Sequence, residues 1–270
     1  MNIPPFWVRE KREMAELPRG CARLRGVSAV SMEDARRRME EQADIFRTLV
    51  SADGELDWQA AKRQYTAEVL EPVAERWDEH NIVTRNRYGA LVLNSDDLCF
   101  ADVDAPPRSL GQTLLGLFGA GASDEQLLLD CVRRLCAADE SLGVRVYRTA
   151  QGFRLIMAGQ GITLGSSRTA ELFRAVHADP LYVRLCARQE SWRARLSPKP
   201  VRVGVKRPPA VMASDAAAAT LADWLPGYEA ACAAYSVCRL VECVGRPIHH
   251  PAAERHDAAT GARLRDRRLA

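Results

Sequence analysis

Two aspartates, Asp102 and Asp104, stand at i and i+2 in the run FADVD. Strand side chains alternate between faces, so both carboxylates point the same way at the strand's end. Two such carboxylates repel unless a cation lies between them. Hard oxygen ligands so placed suit Mg²⁺ or Mn²⁺, which in turn hold a phosphate chain. The ordinary alternative is a solvated strand exit ahead of Pro106-Pro107. The apolar lead Leu98, Cys99, Phe100 and Ala101 favours a central strand that carries the pair to the edge of the core.

Charge is segregated along the chain. Asp96, Asp97, Asp102 and Asp104 follow one another with no base between them. Residues 141–170 hold Arg145, Arg148, Arg154 and Arg168 with no acid, and residues 191–214 hold Arg193, Arg195, Lys199, Arg202, Lys206 and Arg207, again with no acid. Arg148 and Arg154 flank the turn from Thr149 to Phe153, and Arg193 and Arg195 alternate in WRAR. A strand carrying those two beside the hairpin would set a basic wall against the acidic pair. Guanidinium groups facing carboxylates are the parts that seat a triphosphate or a nucleic-acid backbone. Arginines that merely solvate a surface are the plain alternative.

The elements that must position these groups are legible in outline. The spacing in residues 1–80 predicts helices: one follows the Ser31 cap, with Met39, Ala43, Phe46, Leu49 and Val50 on a stripe, and a second carries Trp58, Ala61, Tyr65, Val69 and Val73, bent at Pro72. The period changes from Asn81. Ile82 to Arg85, Ala90 to Asn94 and Leu98 to Asp102 read as an antiparallel meander. A helix capped by Ser123 follows, with Leu127, Leu128, Cys131, Leu135 and Cys136 on one stripe. Next come a hairpin over VRVYRTAQGFRLIMA and a helix in SSRTAELFRAVHA. This order predicts an α+β fold, an antiparallel ferredoxin- or RRM-like sheet covered by helices, divided as 1–80 helical cover, 81–207 core and 208–270 helical segment with a basic tail.

The run FADVD (Phe100 to Asp104), the hairpin YRTAQGFRLIM (Tyr147 to Met157) and RARLSPKP (Arg193 to Pro200) occur in the order of the motifs of the archaeo-eukaryotic primase and PrimPol superfamily, which this chain resembles over roughly Asn81 to Arg202. The resemblance implies a nucleotidyltransferase-type site. Asp102 and Asp104 would match the metal-binding pair, Thr149 and Gly152 the phosphate-side turn, and Lys199 a basic group near the nucleotide. The superfamily's histidine, two residues after the glycine, is replaced by Arg154, and a third metal-binding acid has only Asp179 and Glu190 as candidates. The chain also looks similar to bacterial proteins of comparable length that share the VTRNRYGALVLN, VYRT and RLSPKP segments.

Composition sets bounds on the rest. The chain has 270 residues, 47% hydrophobic and 27% charged, with a net charge of +3, so it can bury a core and any electrostatic argument must be local. MNIPPFWVREKREM lacks the apolar stretch of a secretory signal, and no run approaches a membrane span. The eight cysteines contain no Cys-x-x-Cys pair and read as reduced core residues of a cytoplasmic protein. Cys232, Cys238 and Cys243 with His249 or His250 lack zinc-knuckle spacing. His249-His250 with His256 has no suitably spaced acid or cysteine partner. GLFGAGAS at 116–123 has neither the lysine nor the lead strand of a phosphate loop.

Three functions fit these readings. In the first, Asp102 and Asp104 hold a divalent ion, Arg148, Arg154 and Lys199 bind phosphates, and a 3′-hydroxyl attacks the α-phosphorus. The second is a silent binder of a nucleotide or single-stranded nucleic acid that kept the basic wall and lost the histidine; an arginine can clamp phosphate but not relay a proton, so Arg154 suits it. The third is an interaction or structural domain whose acidic and basic groups pair internally.

Overall fold

A computed structural model describes residues 1–15, 17, 20–49, 68–104 and 123–270. The chain forms two compact units, one of residues 2–73 and 208–227, the other of residue 1, 74–207 and 228–270. The segment expected to run as one piece from 208 to 270 is therefore divided between them. Among the described residues no helix is long and apolar enough to cross a membrane.

The first unit departs from the all-helical expectation for residues 1–80. It opens with an antiparallel hairpin of β1 (Phe6–Glu13) and β2 (Cys21–Ser28). In β2, Ala22, Leu24, Gly26 and Ser28 turn inward between Arg23, Arg25 and Val27, a period of two that a helix cannot satisfy. The expected first helix is present as α1 (Met32–Thr48). Ser31 caps it by accepting from the Asp34 N–H at 3.1 Å, and Ala35, Met39, Ala43 and Phe46 are buried. The helix lies so close to β2 that a Cβ on Gly26 would sit 1.8 Å from the Ala35 carbonyl oxygen. Met14, Leu17, Ala22 and Leu24 complete this core, and Trp7 packs separately with Val211, Ala217 and Leu221, the last two from α5 (Ala217–Leu221). Of the second expected helix, Trp58, Ala61 and Tyr65 lie outside the described residues. Its tail is not helical, because Pro72 lacks an N–H and disfavours helix in the residue before it, and Val73 opens β3 (Val73–Arg76) instead.

The second unit is α+β, and the pairings within its two four-stranded sheets are antiparallel. One four-stranded sheet runs β3, β4 (Asn81–Arg85), β5 (Leu91–Ser95), β9 (Trp192–Arg195). The other runs β11 (Cys238–Gly245), β7 (Gly143–Thr149), β8 (Phe153–Ala158), β6 (Cys99–Val103). The expected meander therefore splits: β4 and β5 pair, but β6 crosses to the second sheet and pairs with β8. Ser95 directs the exit, its hydroxyl donating to Asp97 and accepting from the Leu98 N–H at 2.9 Å. Strand β6 ends the hydrogen-bonded order of its sheet rather than lying centrally in it, yet Cys99, Phe100, Ala101 and Val103 are all buried.

Side chains span the gap from β6 to β9. The Tyr182 hydroxyl, on α4 (Pro180–Gln189), donates to the Phe100 carbonyl at 3.0 Å and accepts from the Arg193 N–H at 3.3 Å. One apolar core joins both sheets with α2 (Asp124–Ala138), α3 (Ser167–Ala175), α4 and α7 (Pro251–Thr260). The C-terminal segment, expected to be helical, also supplies β10 (Tyr235–Ser236), strand β11, and β12 (Arg268–Leu269), which pairs in parallel with β10. The basic tail is accordingly pinned at its end, with Ala270 buried. The eight cysteines are all free.

Candidate functional site

Register brings the first two site residues together. In the β6–β8 pair Asp102 stands opposite Arg154, and in β7–β8 Arg154 stands opposite Tyr147, so the three share one face. Arg154 is 1% exposed. Its Nε donates to Asp102 Oδ1 at 3.0 Å and its Nη1 to the Arg195 carbonyl at 2.8 Å, a second side-chain bridge from this sheet to β9. Burial works against the guanidinium's charge, but attraction to Asp102 outweighs it, and its pKa is held above the ordinary value. Arg154, expected at a phosphate, is thus a buried cross-link between the sheets.

A basic cluster lies over this pair. Arg195 Nε is buried with no hydrogen-bond partner. Burial first, then the charge of Arg154, and further Arg202, bring the Arg195 pKa down to about 10, with Asp102 opposing them. Lys199 precedes the 3₁₀ turn Pro200–Val203; burial and then Arg195 and Arg202 lower its pKa. Arg202 donates to Gln151 in the β7–β8 turn, which ties the 3₁₀ turn to the hairpin. That turn is closed by the Thr149 N–H donating to the Gly152 carbonyl at 2.8 Å. A Cβ on Gly152 would meet the Val103 carbonyl oxygen at 2.5 Å and Asp104 Cα at 3.1 Å, so only glycine lets the turn lie against the end of β6. Asp104 itself is exposed just past that strand.

Two expected members are held elsewhere. Arg148 shares the face of Phe153, opposite to that of Arg154; its guanidinium lies over the Phe153 ring at 5.0 Å and faces Glu125 at 3.7 Å. Arg193 Nη1 donates to Gln189 at the end of α4, at 3.1 Å.

The donor set around Asp102 does not fit Mg²⁺ or Mn²⁺. One Asp102 oxygen is taken by Arg154, and Arg195, Lys199 and Arg202 supply positive charge where a cation would sit. Asp179, a candidate third acid, caps α4 by accepting from the Leu181 N–H at 2.8 Å, while its own N–H donates to the Asp102 carbonyl at 2.9 Å. Glu190 forms the left-handed C-cap of the same helix. Among the described residues no group of three or more His, Cys, Asp or Glu is placed to hold a metal ion.

Three features escaped the sequence reading. Tyr88 is flanked by Arg87 and Arg207, whose guanidinium carbons lie 4.8 and 4.7 Å from its ring, and its pKa is lowered by the bond from Arg87 first and by Lys199 among others. The only signal for it was an aromatic residue beside an arginine in RNRYG. The second is a buried polar network on the face of Arg154. The Tyr147 hydroxyl donates to Asp257 Oδ1 at 2.6 Å, Arg145 Nη1 to Asp257 Oδ2 at 3.0 Å, and Arg145 Nη2 to the Ile248 carbonyl at 2.7 Å and to Glu254. His256 is fully buried between the rings of Phe100 and Tyr147, with Nδ1 3.3 Å from Asp257 and Nε2 without a partner. Arg145 and Tyr147 at i and i+2, alternating with Val144 and Val146, were the signal. Third, His250 caps α7, its Nδ1 accepting from the Ala252 N–H at 3.2 Å, and faces Asp97 at 3.3 Å.

No protein family, curated protein or solved structure matches the chain.

Proposed function

We propose that this protein binds the phosphates of a nucleotide or of single-stranded nucleic acid through Arg195, Lys199 and Arg202, with Tyr88 as a stacking surface for a base. In this reading it is a binding module, and Asp102 serves Arg154 rather than a metal. The observation that carries it is Arg195, a half-buried arginine with a buried, unpartnered Nε whose charge is disfavoured by desolvation first and then by its cationic neighbours. Cations crowded around one carboxylate repel one another, and an anion entering among them relieves that repulsion and supplies the missing acceptor. An aromatic ring interleaved with arginines is the arrangement on which bases of single strands stack. The free thiols are those of a reducing compartment, in keeping with a cytoplasmic protein. The Asp102–Arg154 bond favours a second reading, a structural domain with internally paired charge.

Fluorescence anisotropy of a labelled single-stranded oligonucleotide separates the two. Affinity is expected to fall as salt rises, and Lys199→Gln with Arg202→Gln to weaken binding about tenfold or more and flatten the salt slope by about 1.4. A wild type that binds neither the oligonucleotide nor a nucleoside triphosphate at low salt leaves the structural reading standing. Unchanged affinity in the double variant removes these two residues from the site.

A further inference from the structure

A second concavity lies between α3 and α4, away from the basic cluster. It is a cleft of about 690 Å³ with an apolar floor that includes Phe173, Pro180 and Val183, and its charged or titratable lining consists of Arg174, His177 and Arg184. That size falls in the range of about 300 to 1,000 Å³ typical of small-molecule sites. The floor is fixed: Phe173 packs edge-on against Tyr182 at 6.5 Å, and the turn between the helices is tied to β6 by the Asp179 N–H. Arg174, His177 and Arg184 make no ion pair and no side-chain hydrogen bond among the described residues. The nearby acids are engaged elsewhere, Glu171 with Arg168 at 3.7 Å and Asp179 with the helix cap. His177 holds φ 55°, the left-handed region that glycine enters without strain, so an imidazole is kept at this rim where glycine would be the easier residue.

We infer that this cleft binds a small amphipathic anion, an apolar body carrying a carboxylate or similar anionic head that Arg174, His177 and Arg184 receive. The floor takes the body by burial of apolar surface, and an anionic head finds cations with no competing carboxylate in the lining. A neutral apolar ligand would use the floor alone and an inorganic anion the rim alone, so the juxtaposition selects a molecule with both.

The test is a fluorescence titration of the full chain with anilinonaphthalene sulfonate, with uncharged phenylnaphthylamine as its partner probe. One saturable sulfonate site is expected. Arg174→Gln with Arg184→Gln should weaken the sulfonate about tenfold while shifting phenylnaphthylamine less than about twofold. Ala170→Trp, which fills the cleft from the exposed side of α3, should remove both probes, and decanoate should displace the sulfonate at about tenfold lower concentration than decanol. Unaltered sulfonate binding in the Arg174→Gln, Arg184→Gln protein overturns the inference, and its two exposed substitutions leave the core intact. So does retention of both probes by a folded Ala170→Trp protein. Lys199→Gln with Arg202→Gln should leave the sulfonate affinity unchanged, and its loss there would place the probe at the other cluster instead.

Discussion

Asp102→Ala is expected to lower folding stability by about 3 kcal/mol or more, because it strands the guanidinium of Arg154 in the core without its counter-charge. Arg154 has 2% of its side chain exposed against 36% for Asp102, so the arginine bears most of the desolvation and depends on the carboxylate. Removing the arginine as well relieves the stranded charge. The double variant Asp102→Ala, Arg154→Met should therefore regain about 1 kcal/mol or more over Asp102→Ala, although it gives up the bond to the Arg195 carbonyl. Asp102→Asn, which keeps an acceptor for Nε, should cost less than Asp102→Ala. Urea unfolding of the four proteins measures these differences. A loss under about 1 kcal/mol for Asp102→Ala, or a double variant less stable than the single, would mean that Arg154 finds another partner.

Acid should weaken the fold through His256. Burial pushes its pKa from 6.5 down to about 4; Asp257 opposes the shift, while Arg154 and Arg145 add to it. The imidazole is thus neutral in the folded protein and takes up a proton when the chain unfolds below pH 6.5. Its contribution is fully present above that pH and is lost as the pH falls toward 4, where the folded state also takes up the proton. At about 1.4 kcal/mol per tenfold change in proton affinity, the loss over this window is about 3 kcal/mol. The groups facing the ring are Asp257 beside it and Tyr147 on β7, with Arg145 and Arg154 close by. His256→Gln cannot ionise, so its stability should vary less with pH between 6.5 and 4 than that of the wild type. Parallel curves for the two proteins over that window would show that His256 does not titrate with folding.

Local pattern carried some of this into the sequence and left the rest out. The hairpin of β7 and β8, the Ser31 and Ser123 caps and the burial of β6 rest on residues close in sequence, and each was legible from spacing. The pairing of β6 with β8, which places Asp102 beside Arg154, replaced the meander expected from the local spacing. What turned Arg154 from a ligand clamp into a cross-link was the arrival of β9, contributed by residues 192–195 far along the chain. Charge alternation in WRAR says nothing about which backbone carbonyl will be offered to a guanidinium. The burial of His256 and Asp257 likewise depends on α7 returning to a sheet face whose polar residues, Arg145 and Tyr147, looked solvated in isolation. β1 and β2 were missed because their many charges hid the period of two in β2, where every other residue packs, and left Trp7 as the one buried residue of β1.

The role of Asp102 divides phosphate binding from metal binding by sign. At a metal centre Asp102→Asn removes a ligand, and nucleotide affinity falls with the ion. As a metal-free acid beside Arg195 and Lys199, Asp102 competes with phosphate for their charge, and neutralising it strengthens their hold on phosphate by about two- to fivefold, the scale of one partly screened charge. The direct measurement is calorimetric titration of a nucleoside triphosphate into wild type and Asp102→Asn, with Mg²⁺ and again with a chelator. Tighter binding by Asp102→Asn, unchanged by the chelator, is the predicted result, whereas weaker binding by the variant together with loss of wild-type affinity in chelator would contradict it.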